Sequence, residues 1–125
     1  MATRSPAPRL QDIVEAIEHL RTVTAEITLD QFEADWQKRW LVERGMEIIS
    51  EASRHLGAEL KTRHPEIPWP KLAGIGNVLR HEYERIAPEI LWNVVQNDVA
   101  ELERVCREEL ARTDGPPSRG LRRPR

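Results

Sequence analysis

Residues 10–27 read LQDIVEAIEHLRTVTAEI. Leu10, Ile13, Val14, Ile17, Leu20, Val23 and Ile27 step by three and four, so on a helix they line one stripe. The spacing predicts a helix over residues 8–27, with Pro6 and Pro8 marking its start. The same period returns downstream. Phe32, Trp36, Trp40, Leu41, Ile48, Ile49, Ala52, Leu56 and Leu60 predict one long helix from Asp30 to about residue 60. Thr28 is expected to cap it, Gly45 to kink it and Gly57 to end it. Residues 64–70, HPEIPWP, cannot be regular helix, because three prolines remove donors and restrict the residues before them. A short helix is expected from Pro70 to near Tyr83. Leu91, Val94, Val95, Val99, Leu102, Val105, Cys106 and Leu110 predict a last helix opened by Pro88. No stretch alternates with the period of a strand, and no repeat occurs. The expectation is an all-α bundle of four to five helices.

The chain has 125 residues, enough for one domain. It is 39% hydrophobic and 32% charged, which suits a helical protein with charged outer faces. A formal charge of −2 gives no global basic field for nucleic acid. The charge is uneven. Residues 113–125 carry four Arg against one Asp, or +3, which leaves −5 for residues 1–112. Residues 8–112 are therefore read as the helical domain and 113–125 as a disordered basic tail. The lone Cys106 excludes an internal disulfide and a cysteine-based zinc cage, and a reducing cytoplasm is expected. The first ten residues hold no apolar segment of the signal-peptide kind, and no apolar run approaches membrane-spanning length. Phe32, Trp36, Trp40, Trp69 and Trp92 exceed what a small monomer usually carries. Some belong to a core, but tryptophan is also enriched at interfaces, and a homodimer is expected.

Several stretches together resemble the HepT-like family within the HEPN group of helical ribonucleases. They are DIVEAIEHL in the first helix, Phe32 and Asp35, EIISEASRHL, HPEIPWPKLAGIGNVLRHEY and PEILWNVV. The resemblance runs from about residue 9 to 103. The family's motif is Gly-(Met/Ile)-Arg-Asn-x-x-x-His-x-Tyr. Here Gly74, Ile75, Asn77, His81 and Tyr83 stand in register, but Gly76 occupies the arginine position. The resemblance implies a HEPN-type bundle and a metal-independent ribonuclease that needs no cofactor. It also implies a homodimer with two motif copies at the interface, acting as the toxin of a toxin–antitoxin pair. The implied partner is an MNT-type nucleotidyltransferase antitoxin, which would transfer AMP to Tyr83. Glu51 and Asp35 resemble supporting positions near the site.

The residue types fit that chemistry. Metal-free RNA cleavage requires a ribose 2′-OH to lose a proton and the leaving oxygen to gain one, and an imidazole titrates in the right range. A forked arginine would stabilise the phosphate as its charge grows. Asn77 and His81 are one turn apart on a shared face, so Asn77 can orient the imidazole or a phosphate. Each residue also has a plainer reading. His81, Asn77 and Tyr83 taken singly fit surface or packing roles, and Glu51 and Asp35 fit a solvated charge and a helix cap. His19, His55 and His64 read as surface residues, and Trp69 as a packing anchor for its loop.

Gly76 cannot supply a cation, and loss of one preorganised donor typically lowers a rate by ~10²–10³. Three explanations stay open. The chain is a natural relative that kept its fold and partner; or the arginine was lost in cloning, through a single-base change; or Arg80, one turn later, covers the space. The first two predict a weak or dead ribonuclease. They also predict that Gly76→Arg restores cleavage without loss of stability, because glycine is a poor helix former. The alternative function is a non-catalytic helical module that engages the nucleotidyltransferase.

Overall fold

The computed structural model describes residues 5–82 and 88–114. Among these residues there are seven helices and no strand: α1 Ala7–Thr24, α2 Leu29–Ala34, α3 Trp36–Arg54, α4 Ala58–Arg63, α5 Trp69–Glu82, α6 Pro88–Asn97 and α7 Val99–Asp114. The fold is all-α, as the periodicity predicts. Tyr83 and residues 115–125 of the basic tail lie outside the described residues.

The number of helices exceeds the expected four to five because local hydrogen bonds interrupt the stripes. α1 stops at Thr24, three residues early. Ala25 is extended and Glu26 turns the chain at a φ of 60°. Thr28 caps α2 alone, in a reciprocal box in which its hydroxyl accepts from the Gln31 amide at 3.1 Å and the Gln31 side chain accepts from the Thr28 amide at 2.9 Å. Asp35 then leaves helical geometry and caps α3, its Oδ1 accepting from the Gln37 and Lys38 amides at 3.1 Å each. Gly57 supplies the cap position of α4. The expected long helix is thus three helices. α3 runs unbroken through Gly45. Its missing Cβ instead lets α1 approach, since a methyl there would stand 2.7 Å from Leu20 Cδ2. Only Asp98 separates α6 from α7, and backbone bonds run from the Asp98 amide to Val94 and from the Leu102 amide to Asp98.

α3 lies between α1 and α5, α7 packs along the other side of α1, and α2 rests on α6. Leu10, Ile13, Val14, Ile17 and Leu20 of α1 meet Val42, Met46 and Ile49 of α3 and Leu102, Val105 and Cys106 of α7 in one continuous core. Burial among acidic neighbours pushes the Cys106 thiol up to about 12, so it packs as an inert apolar group.

Two sequence expectations need correction. The aromatic stripe ends at Phe32, which is buried with its ring 5.5 Å from Trp92. Trp36, Trp40 and Leu41 face outward, 54%, 66% and 56% exposed, because α3 starts afresh at Asp35. His64 is not a surface residue but buried. Its Nε2 donates to Glu109 at 2.6 Å, while Arg63 grips the same carboxylate with two bonds of 2.8 and 3.1 Å. The two hydrogen bonds from Arg63 hold the Glu109 carboxyl down to about 2, and His64 adds to them against the opposing effect of burial. Trp69 anchors the proline-rich turn, as its setting between prolines suggests. It is buried and its indole N–H donates to the His64 carbonyl at 3.0 Å.

Candidate functional site

The motif lies on α5, whose two faces differ. Leu72, Ile75, Gly76 and Leu79 point inward, while Gly74, Asn77, Arg80 and His81 are exposed. Asn77 and His81 therefore share one solvent-facing side a turn apart, with Arg80 beside both. The apolar spacing produces this arrangement. Leu72, Ile75 and Leu79 join the core and fix the rotation of α5, which turns the motif's polar side outward.

Gly76 sits at the seam with α3. A Cβ at that position would stand 2.2 Å from Ser50 Oγ and 2.6 Å from Ser50 Cβ. Ser50 is fully buried, and its hydroxyl donates to the Ala73 carbonyl at 3.0 Å. The Arg54 guanidinium donates to the same carbonyl at 3.4 Å. Two donors from α3 thus hold one carbonyl of α5 where Gly76 lets the backbones come together. The obstacle is partly Ser50 Cβ, which cannot rotate away, so any side chain at 76 must push the helices apart. This corrects the expectation that Gly76→Arg leaves stability unharmed. Gly76 is a packing residue, and Ser50 of α3 takes the space that a Cβ there would need.

Glu51 follows Ser50 on α3 and borders the same seam. It is exposed, and His55 Nε2 donates to its Oε2 at 2.9 Å. That hydrogen bond is the main reason its carboxyl lies below the usual range, with charge from His55, Arg54 and Arg80 adding to it. The structure thus brings Glu51 within electrostatic reach of Arg80 across the α3–α5 seam, while Arg80, Asn77 and His81 share the exposed side of α5. Asp35 is not part of this set. Sixteen positions before Glu51, it lies about 24 Å away along α3 and acts as a helix cap. His55, Arg54 and Ser50 border the same seam; from the sequence His55 reads only as a surface residue, and Arg54 and Ser50 are not singled out. The four-residue step from Glu51 to His55 was the one available signal. Among the described residues no group of three or more His, Cys, Asp or Glu is placed to hold a metal ion.

Exposed imidazole, amide and guanidinium groups on one helical face can bind a phosphate and move a proton beside it. Comparison with known proteins agrees with that chemistry. The family model described as Ribonuclease HepT-like matches residues 13–109. The chain is similar to a probable ribonuclease HepT of Thermococcus cleftensis, 38% identical over 100 residues that cover 80% of this chain and 91% of that protein. A putative RNase of Methanocaldococcus jannaschii is 32% identical over 83% of this chain and 95% of its own length. Another from Caldanaerobacter subterraneus is 31% identical over 86% and 96%. No solved structure matches the chain at a significant level. With the family model and relatives of this coverage in agreement, the chain belongs to the HepT-like ribonuclease family.

Proposed function

We propose that the chain is a metal-independent endoribonuclease, the toxin component of a HEPN/MNT toxin–antitoxin pair, weakened by the absence of an arginine at position 76. One observation carries the reading: His81 and Asn77 stand together on the exposed face of α5 in a chain of this family. In the proposed reaction the ribose 2′-oxygen gives up its proton and attacks the neighbouring phosphorus. The bond from phosphorus to the 5′-oxygen breaks, and that oxygen takes up a proton. The products are a 2′,3′-cyclic phosphate and a 5′-hydroxyl. His81 manages one of the two protons, and Asn77 orients the imidazole or a phosphate oxygen. In a homodimer the partner's His81 is available for the other.

The exposed Trp36, Trp40 and Leu41 support the homodimer. The antitoxin partner is an MNT-type nucleotidyltransferase, and Tyr83 is its AMP acceptor. A cytoplasmic setting accords with a single buried thiol, and no helix among the described residues is long and apolar enough to cross a membrane. The test is cleavage of a labelled single-stranded RNA in excess chelator, with the product ends analysed. Slow cleavage that leaves cyclic phosphate and vanishes in His81→Ala is expected. Cleavage untouched by His81→Ala would remove the active site from α5.

The filling of position 76 by Ser50 favours a second reading, in which the chain is a non-catalytic helical module that binds the nucleotidyltransferase. That reading predicts tight association with the transferase and no cleavage at any enzyme concentration.

A further inference from the structure

The motif's cation has a substitute on its own helix. We propose that Arg80 holds the RNA phosphate at this site, in place of the arginine that position 76 cannot accept. This rests on the ribonuclease reading of the His81 face.

The geometry runs in its favour at each step. Position 76 is closed, because Ser50 occupies the space a Cβ would need. Arg80 is one turn later, and helical side chains lean back toward the N-terminus. Its guanidinium does so here: Nη1 stands 3.6 Å from the point a Cβ on Gly76 would occupy. The charged group therefore arrives over the closed position from the next turn. Arg80 is exposed, and among the described residues no carboxylate makes a hydrogen bond or close ion pair with it. Other arginines are engaged. Arg63 grips Glu109, Arg104 bonds Glu66, Glu101 and Glu108, and Arg107 bonds Glu18 and Glu103. Across the seam, the Arg80 charge is felt at Glu51, whose own hydrogen bond goes to His55. The fork is near an acid but not consumed by it. Asn77 and His81 flank it on the open side. A phosphate on this face meets a guanidinium, an amide and an imidazole together, the set needed to hold an anion next to a proton carrier. Because the fork comes from a different turn than the motif intends, it binds phosphate more readily than it aligns the transition state, which predicts slow cleavage.

The experiment uses the full chain and two readouts. A 2′-O-methyl single-stranded oligonucleotide, which cannot be cleaved, reports binding by fluorescence anisotropy across a salt series. A matching ribo-oligonucleotide reports cleavage. Arg80→Ala is expected to make the slope of log affinity against log salt shallower by about 0.7, the loss of one phosphate contact on a single strand. Its cleavage should fall roughly tenfold or more. Arg80→Lys should keep the salt slope but not the cleavage rate, since it retains a charge and loses the fork. Arg104→Ala, on α7, should leave both unchanged. An unaltered slope and rate in Arg80→Ala would overturn the proposal even if His81→Ala abolishes cleavage. A reduced slope in Arg80→Ala with no cleavage by the unaltered chain would uphold the phosphate contact and reject the ribonuclease reading instead.

Discussion

Replacing Gly76 with alanine is expected to destabilise the chain, although alanine is the better helix former. The propensity gain is about 1 kcal/mol. Against it stands the new methyl, 2.2 Å from Ser50 Oγ and 2.6 Å from Ser50 Cβ. Rotating the serine hydroxyl away sacrifices its 3.0 Å bond to the Ala73 carbonyl, a net loss of about 1 kcal/mol. The Cβ contact persists after that rotation, so α5 must shift, and overpacking of this kind costs about 1–3 kcal/mol. The balance is a destabilisation of about 1–3 kcal/mol. Urea unfolding followed by circular dichroism would read it as a lower midpoint with an unchanged slope. Ser50→Gly removes the obstruction at its source, so the pair Ser50→Gly/Gly76→Ala should be more stable than the sum of the single changes implies, by roughly 1 kcal/mol or more. Gly45→Ala meets a different neighbour, the buried Leu20 side chain, 2.7 Å from its Cδ2 and 3.1 Å from its Cγ. A Gly76→Ala variant stabilised by the full propensity gain would refute the close approach of α3 and α5.

Three further outcomes are expected. Glu109→Gln should lose about 3–4 kcal/mol, the lower part of the buried-pair range because Arg63 stays partly hydrated; in the unaltered chain the same contribution is present above the ordinary carboxyl value of 4.5 and is lost as pH falls from there through about 2, which unfolding midpoints against pH would trace. Light scattering at micromolar concentration should give twice the chain mass, and Trp40→Glu, at an exposed position, should give the monomer without unfolding it. Intact mass after incubation with the cognate nucleotidyltransferase and ATP should rise by the mass of AMP, and Tyr83→Phe should prevent this.

How far the sequence carried can be judged residue by residue. The stripe from Leu10 to Leu20 was readable because a core-facing helix needs little beyond its own period. The last stripe, from Leu91 to Cys106, was readable for the same reason, and the single-residue break at Asp98 hardly disturbs it. The middle of the chain was misread where a short polar side chain competes with the helix. The stripe runs Asp35 into one long helix, whereas its plainer reading as a helix cap holds: its carboxylate satisfies two amides and starts a new helix. Trp36 and Trp40 then fell on an outward face that their spacing alone could not reveal. His64 was misread because its partner, Glu109, is 45 positions away and only the tertiary fold joins them. Gly76 carries the same lesson for the site. The sequence presents it as a missing side chain, whereas the fold makes it a contact, filled by Ser50 from a helix 26 positions earlier. The shared outward face of His81 and Asn77 was legible because both lie within one turn of one helix and the apolar pattern of α5 sets their direction.

The most direct test compares RNA cleavage, in excess chelator, by the unaltered chain, Gly76→Arg, Ser50→Gly/Gly76→Arg, and the last of these with His81→Ala added. Gly76→Arg alone should be poorly folded and gain little, since Ser50 still fills the seam. The double change makes room for the fork, and its rate should exceed that of the unaltered chain by ~10²–10³. Adding His81→Ala should abolish that gain. A double variant that is folded, dimeric and no faster than the unaltered chain, or equally fast without His81, would contradict a ribonuclease centred on the exposed face of α5.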